Sequence, residues 1–174
     1  MGGIIVIGVM ACAVGAVMRV PASDAVPGAN VTDPARAAAR AGTSSSRVDY
    51  MSGDVILDRQ DDGHFYAMPS INMMPVHTLV DTGASVVVLT GIDAESLGLS
   101  WNANDVHPVG QGASGAVMGV RTTLDSVELG AFEAYNVPAV IVPEGLQISL
   151  LGQSFLERVP DVAISEGEMR LSGQ

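Results

Sequence analysis

The stretch that most constrains this chain is Leu79-Val80-Asp81-Thr82-Gly83-Ala84-Ser85, which sets a carboxylate, a hydroxyl and a glycine at a reversal between two apolar runs. Val76 to Val80 lead into the aspartate and Val86 to Leu89 follow it. Runs this short are poor helices, and their β-branched residues read as buried strands. Gly83 gives the turn, so Asp81 is expected at the end of a buried strand with its carboxyl at the reversal. Asp-Thr-Gly alone means little, and its surroundings decide what it does.

From Asp54 onward the chain is a series of short β-rich runs punctuated by Gly, Pro and Asn. Strands are predicted over Val55 to Arg59, His64 to Met68, Val76 to Val80, Val86 to Leu89, Met118 to Leu129, Phe132 to Asn136, Ala139 to Val142, Ile148 to Leu151 and Glu168 to Leu171. Two short helices are predicted, near Ile92 to Leu97 and Gln153 to Arg158. Gly130 and Asn72 stand where hairpins must reverse, since both accept positive φ. Many short strands with glycine turns favour a closed or sandwiched β architecture.

Downstream of the aspartate, Ile148-Ser149-Leu150-Leu151-Gly152-Gln153-Ser154-Phe155-Leu156 is an apolar strand ending at glycine and entering a helix. The two glycine-bearing motifs, in this order, resemble those of the retropepsin-like aspartic proteases. Asp62-Gly63-His64-Phe65-Tyr66, Thr123-Leu124-Asp125-Ser126-Val127 and the Leu150 to Leu156 segment are similar to the bacterial single-domain, membrane-tethered branch of that clan. The likeness spans roughly residues 52 to 172. It implies a mostly β, closed, barrel-like acid-protease half-fold with one or two short helices, and an aspartic endopeptidase activity. Carried onto this sequence, the pattern makes Asp81 the catalytic acid. Thr82 then hydrogen-bonds across a dimer, and the N–H of Gly83 reaches a carboxylate. Gly152 lets the downstream strand pack against the turn. Gly110-Gln111-Gly112-Ala113-Ser114-Gly115 is the expected flap over the substrate.

Peptide hydrolysis by carboxylates alone needs one group to take a proton from water and another to give one to the substrate. Two ionised carboxyls in contact are unstable, and aspartic proteases are known to share one proton between them. This chain carries one Asp-Thr-Gly turn, so a homodimer is expected, with two Asp81 carboxylates meeting on its twofold axis.

Ahead of the β-rich region, every residue from Gly2 to Met18 is apolar or glycine, and Arg19 ends the run. About 17 apolar residues is the lower limit for crossing a hydrocarbon core, so residues 1–19 are expected to be a membrane anchor or signal segment. Cys12 is the only cysteine, which excludes an internal disulfide, and it reads as an apolar member of this run. Residues 20–50, with Pro21, Pro27, Pro34 and three consecutive serines, read as a disordered linker, leaving 51–174 as the protease domain. Arginines after the apolar run favour a cytoplasmic domain by the positive-inside rule. The resemblance implies instead a bacterial inner-membrane tether with the domain in the periplasm, and that is the expected arrangement.

Nineteen acidic residues face eight arginines and no lysine, for a formal net charge of −11. Nucleic acid, which needs a cationic footprint, is not an expected partner. His64, His77 and His107 lack metal-ligand spacing, so neither a metal nor a cofactor is expected. Trp101 reads as a core or rim aromatic. Ser85 and Ser114 lie outside a nucleophile-elbow pattern. The expected function is hydrolysis of an extended peptide or protein substrate near the membrane. The alternative is a non-catalytic, membrane-tethered peptide-binding module of the same fold.

Overall fold

The computed structural model describes residues 6–7, 46–49, 52–112 and 115–173. In chain order the elements are β1 (Val6–Ile7), β2 (Ser46–Val48), β3 (Val55–Asp58), β4 (Tyr66–Ala67), β5 (Ser70–Ile71), β6 (Met74–Pro75), β7 (Thr78–Val80) and β8 (Val87–Thr90). There follow α1 (Gly91–Ser96), a 3-10 turn (Ala103–Asp105), β9 (His107–Gly112), β10 (Gly115–Leu129), β11 (Phe132–Val142), β12 (Ser149–Leu151), α2 (Gln153–Leu156), β13 (Asp161–Ser165) and β14 (Glu168–Ser172). The described residues are mostly β with two short α-helices, as the punctuation of the sequence predicts.

One sheet runs β1-β9-β10-β11-β8-β12-β7-β4, with β5 bonded to β10 and β6 to β5. Laid flat, β10 and β4 would stand five strand spacings apart, about 24 Å at ~4.8 Å each. Only Met68 and Pro69 separate β4 from β5, a link that reaches at most ~11 Å, and yet β5 pairs with β10 through Ile71 and Val127. The sheet therefore curls back on itself into a half-barrel. A second sheet, β13-β14-β3-β2, completes the described fold.

The curl encloses Phe155, Leu57, Ile71, Leu89, Leu124, Ile141, Leu151 and Leu171, all almost fully buried. Strand β8 is buried along its whole length. Its Val87 and Leu89 join this core, while Val88 points to a second cluster with Ala84, Val109, Val140, Val142 and Leu150. A strand covered on both faces reads as a continuous apolar run, which is why Val87 to Leu89 shows no alternation, and the run ends at buried Thr90, whose hydroxyl is bonded to Asp93.

Several boundaries differ from the sequence pattern. The expected break between residues 136 and 139 is absent, and β11 runs through it. Asn136 takes up the irregularity at φ 51°. Pro138 directs its carbonyl to Ser154, and its nitrogen faces the same edge, one residue before pairing with β8 begins at Ala139. The glycine-dense segment becomes the end of a long hairpin, β9 paired with β10, whose residues 113–114 lie outside the described residues. Strand β2 lies within the expected linker. Arg47 secures it by ion pairs to Asp58 at 3.1 Å and Glu168 at 2.9 Å. Strand β13, unforeseen because it is mostly exposed, pairs with β14 across a Glu166-Gly167 turn of positive φ.

The two predicted corners form as expected. Gly130 has φ 62° and Asn72 φ 47°. Asn72 Oδ1 also accepts the N–H groups of Asp125 and Ser126. Within the expected anchor, Val6–Ile7 pair in parallel with Gln111–Gly112. The rest of residues 1–19 and the linker through residue 45 lie outside the described residues. Among the described residues, no helix is long and apolar enough to cross a membrane.

Candidate active site

Strands β7 and β8, which flank the aspartate turn, are not neighbours. Strand β12 lies between them, parallel to β7 and antiparallel to β8. Residues 81–86 must therefore cross over the end of β12, and the crossing is tight. A Cβ on Gly152 would stand 2.2 Å from the Val86 carbonyl oxygen and 2.7 Å from that of Ala84. No side chain fits there, so the Leu-Leu-Gly motif ends in glycine for a steric reason.

The crossing is fastened by a set of hydrogen bonds. Asp81 N–H donates to the Leu151 carbonyl at 3.1 Å, and Gln153 N–H to that of Ala84 at 2.8 Å. Gln153 Nε2 donates to the Thr82 carbonyl at 2.8 Å. Val87 N–H donates to Ser154 Oγ at 3.0 Å, and the same hydroxyl donates to the Pro138 carbonyl at 2.8 Å. Behind them, Ser149 Oγ accepts from Thr90 N–H and donates to Asp93, tying β12 to β8 and to the start of α1. Thr90 caps α1 by accepting from Asp93 N–H.

Within this frame Asp81 is half-buried, and Thr82 and Gly83 are exposed. Gly83 N–H donates to Asp81 Oδ1 at 2.8 Å, an Asx turn that fixes the carboxylate plane. A Cβ on Gly83 would sit 3.2 Å from that oxygen and crowd it. Among the described residues, Asp81 Oδ2 has no hydrogen-bond partner and no cation pairs with the carboxylate. One oxygen is thus held while the other stands open, which suits a group that exchanges a proton with a bound molecule.

Beside the turn, Leu79, Val86, Val117 and Leu146 pack partly exposed on the second apolar cluster. Val109 and Val117 belong to the β9–β10 hairpin, so the hairpin and the turn share one apolar floor. Arg121 braces the hairpin by donating to the Val109 carbonyl at 3.0 Å.

The sequence motif brings Asp81, Thr82 and Gly83 together on one turn. It gave no role to Gln153, Ser154, Ser149 or Asp93, which hold that turn. The available signal was polar residues directly after Leu150-Leu151-Gly152, where the apolar strand meets the helix. The histidines lie in local contacts: His77 stacks on Tyr66 at 5.4 Å, and His107 Nδ1 meets the Asp105 carbonyl at 2.6 Å. Trp101 is half-buried against the core.

Residues 67–158 match the family described as "gag-polyprotein putative aspartyl protease". The chain is 38% identical over 106 residues to an uncharacterized protein of Rickettsia prowazekii (strain Madrid E), covering 61% of this chain and 46% of the relative. To an uncharacterized protein encoded in a cobV 5' region of Sinorhizobium sp it is 33% identical over 120 residues, covering 68% of this chain and 51% of the relative. The matched stretch thus spans about half the length of these curated relatives. Among solved structures, a retropepsin-like aspartic protease from Rickettsia conorii matches with a TM-score of 0.58 and 32% identity. That match covers 73% of this chain and 92% of the other.

Proposed function

This chain belongs to the gag-polyprotein aspartyl protease family, with a retropepsin-like fold, and on that premise we propose that it is an aspartic endopeptidase active as a homodimer. The observation that carries the reading is the state of Asp81, with one carboxylate oxygen fixed by Gly83 and the other open, on a turn present once in the chain. Peptide hydrolysis needs a second carboxyl, and a twofold dimer supplies it as the partner's Asp81.

In the dimer the two carboxyls share one proton and hold a water between them. The ionised carboxylate takes a proton from the water as its oxygen attacks the scissile carbonyl carbon, while the protonated carboxyl gives its proton to the carbonyl oxygen. Collapse of the tetrahedral intermediate breaks the C–N bond, and the leaving nitrogen takes a proton from the dyad. Gly83 N–H keeps Oδ1 in place throughout. Thr82, exposed beside the acid, packs against the partner's turn and sets its register. The substrate is an extended peptide lying on the apolar floor of Leu79, Val86 and Leu146, with the β9–β10 hairpin folded over it to exclude water.

Residues 1–19, with Val6–Ile7 released from their pairing with Gln111–Gly112, tether this unit to a bacterial inner membrane with the protease in the periplasm, so the substrate is a protein close to that membrane. Fractionation with protease-accessibility assays tests the tether: a soluble chain, or a domain protected from periplasmic protease, refutes it. The activity is tested by incubating the protein with a peptide library, with and without a statine-type transition-state mimic. Cleavage that the mimic blocks is expected. Peptide capture without turnover would make the protein a binding module instead.

A further inference from the structure

We propose that Gln153 is a positioning residue for the catalytic carboxylate, acting through the single peptide unit that joins Thr82 to Gly83. The inference rests on Asp81 being the catalytic acid. The Thr82 carbonyl and the Gly83 N–H are the two ends of one planar group. Gln153 Nε2 donates to the carbonyl end at 2.8 Å, and the N–H end donates to Asp81 Oδ1 at 2.8 Å. A carbonyl oxygen only accepts, so the amide nitrogen of Gln153, not its oxygen, must face it.

The clamp has a physical purpose. Thr82 and Gly83 are exposed, and glycine places little restraint on the peptide before it. In a free turn that plane can flip, as the difference between type I and type II turns shows, and its N–H would then point away from the acid. Gln153 removes the flip by holding the opposite end. It also makes the N–H a better donor, because hydrogen bonds in a chain polarise one another. The lever is short: Gln153 is the first residue of α2, its own N–H is bonded to Ala84, and Gly152 fixes the approach. The residue after the Leu-Leu-Gly strand therefore reaches, through a peptide 71 positions earlier in the chain, the oxygen that must be held still for catalysis.

Two variants of the full chain test the clamp. Gln153→Met keeps the length of the side chain and removes the donor. It is expected to lower kcat about three- to tenfold, the worth of one neutral hydrogen bond, with KM within about twofold, and to move the Gly83 amide proton upfield in a 1H–15N spectrum. Gln153→Glu presents a charged oxygen to the Thr82 carbonyl when ionised but a donor O–H when protonated. Its activity relative to wild type should recover as the pH falls below ~4.3, whereas that ratio for Gln153→Met stays flat. A purely structural role would not produce this difference. An unmoved Gly83 amide in Gln153→Met, or a Gln153→Glu ratio that ignores pH, overturns the proposal. If the wild type cleaves no peptide while the Gly83 amide still moves, the clamp is supported and the protease reading falls by itself.

Discussion

Two aspartates in this protein make the same local turn and end in opposite states. Asp62 Oδ1 accepts the N–H of His64 at 3.0 Å, as Asp81 Oδ1 accepts that of Gly83 at 2.8 Å. Asp62 also accepts the Tyr66 hydroxyl on Oδ2, and the His64 ring lies 3.5 Å from Oδ1. Its carboxyl is held below the usual range, first by the Tyr66 hydroxyl and then by the His64 N–H. Everything that satisfies Asp62 lies within four residues of it. The Asp81 turn is held by residues about seventy positions away, and its outer oxygen is left unsatisfied among the described residues. A carboxylate saturated by its neighbours stabilises a turn, whereas one fixed from a distance and left half open is prepared to meet something else.

The comparison breaks if the two acids behave alike. Asp81→Asn is expected to cut turnover by on the order of 10³-fold or more while leaving the thermal midpoint nearly unchanged, since Asn can still accept from Gly83. Mixing excess variant with wild type should depress activity further than dilution explains, through mixed dimers. Asp62→Asn should leave kcat/KM within about twofold. Comparable losses from both substitutions, read from progress curves on one peptide, would remove the distinction.

Remote support of the Asp81 turn predicts the next largest effect. Gly152→Ala drives a methyl into two backbone carbonyls that side-chain adjustment cannot move. A cost of about 3 kcal/mol is expected, measurable by urea unfolding, with activity lost in parallel. A neutral outcome would mean that the crossing of residues 81–86 over β12 is looser than the Gly152 contacts require.

These effects separate what the sequence shows from what it conceals. The Asp81 turn, the Gly152 approach and the corners at Asn72 and Gly130 are legible because each needs a particular residue for a local steric or conformational reason. Strand β12 inserting between β7 and β8 is not legible, since pairing partners are chosen by the curl of the whole sheet rather than by any one run. Gln153, Ser154 and Ser149 could not be given roles for the same reason: their partners are distant in sequence. Strand β13 stayed hidden because an exposed strand carries no apolar alternation, and the Pro138 region misled because proline usually ends a strand unless its nitrogen faces an unpaired edge.

Ser154→Ala tests the remote fastening without introducing bulk. It leaves the N–H of fully buried Val87 and the Pro138 carbonyl without their shared hydroxyl. A loss of about 1–2 kcal/mol is expected, with faster hydrogen exchange at Val87. An unchanged exchange rate would show that another donor or water replaces the serine.

The smallest effect belongs to the locally satisfied acid. Tyr66→Phe keeps the stack on His77 and removes only the hydroxyl that does most to hold the Asp62 carboxyl down. The Asp62 titration followed by carboxyl 13C shifts should move upward toward the ordinary 3.8, yet not reach it, because the His64 N–H still donates. The sign of the stability effect follows. A depressed folded-state pKa contributes stability above the ordinary value and loses it as pH falls through the folded one, so the variant should match wild type least above pH ~4 and converge with it in stronger acid. About half of the Asp62 side chain is open to solvent, which screens the interaction, so the difference should be small. An Asp62 titration that does not move at all would mean that the hydroxyl is not what distinguishes this turn from that of Asp81, and the contrast would then rest on the distant fastening alone.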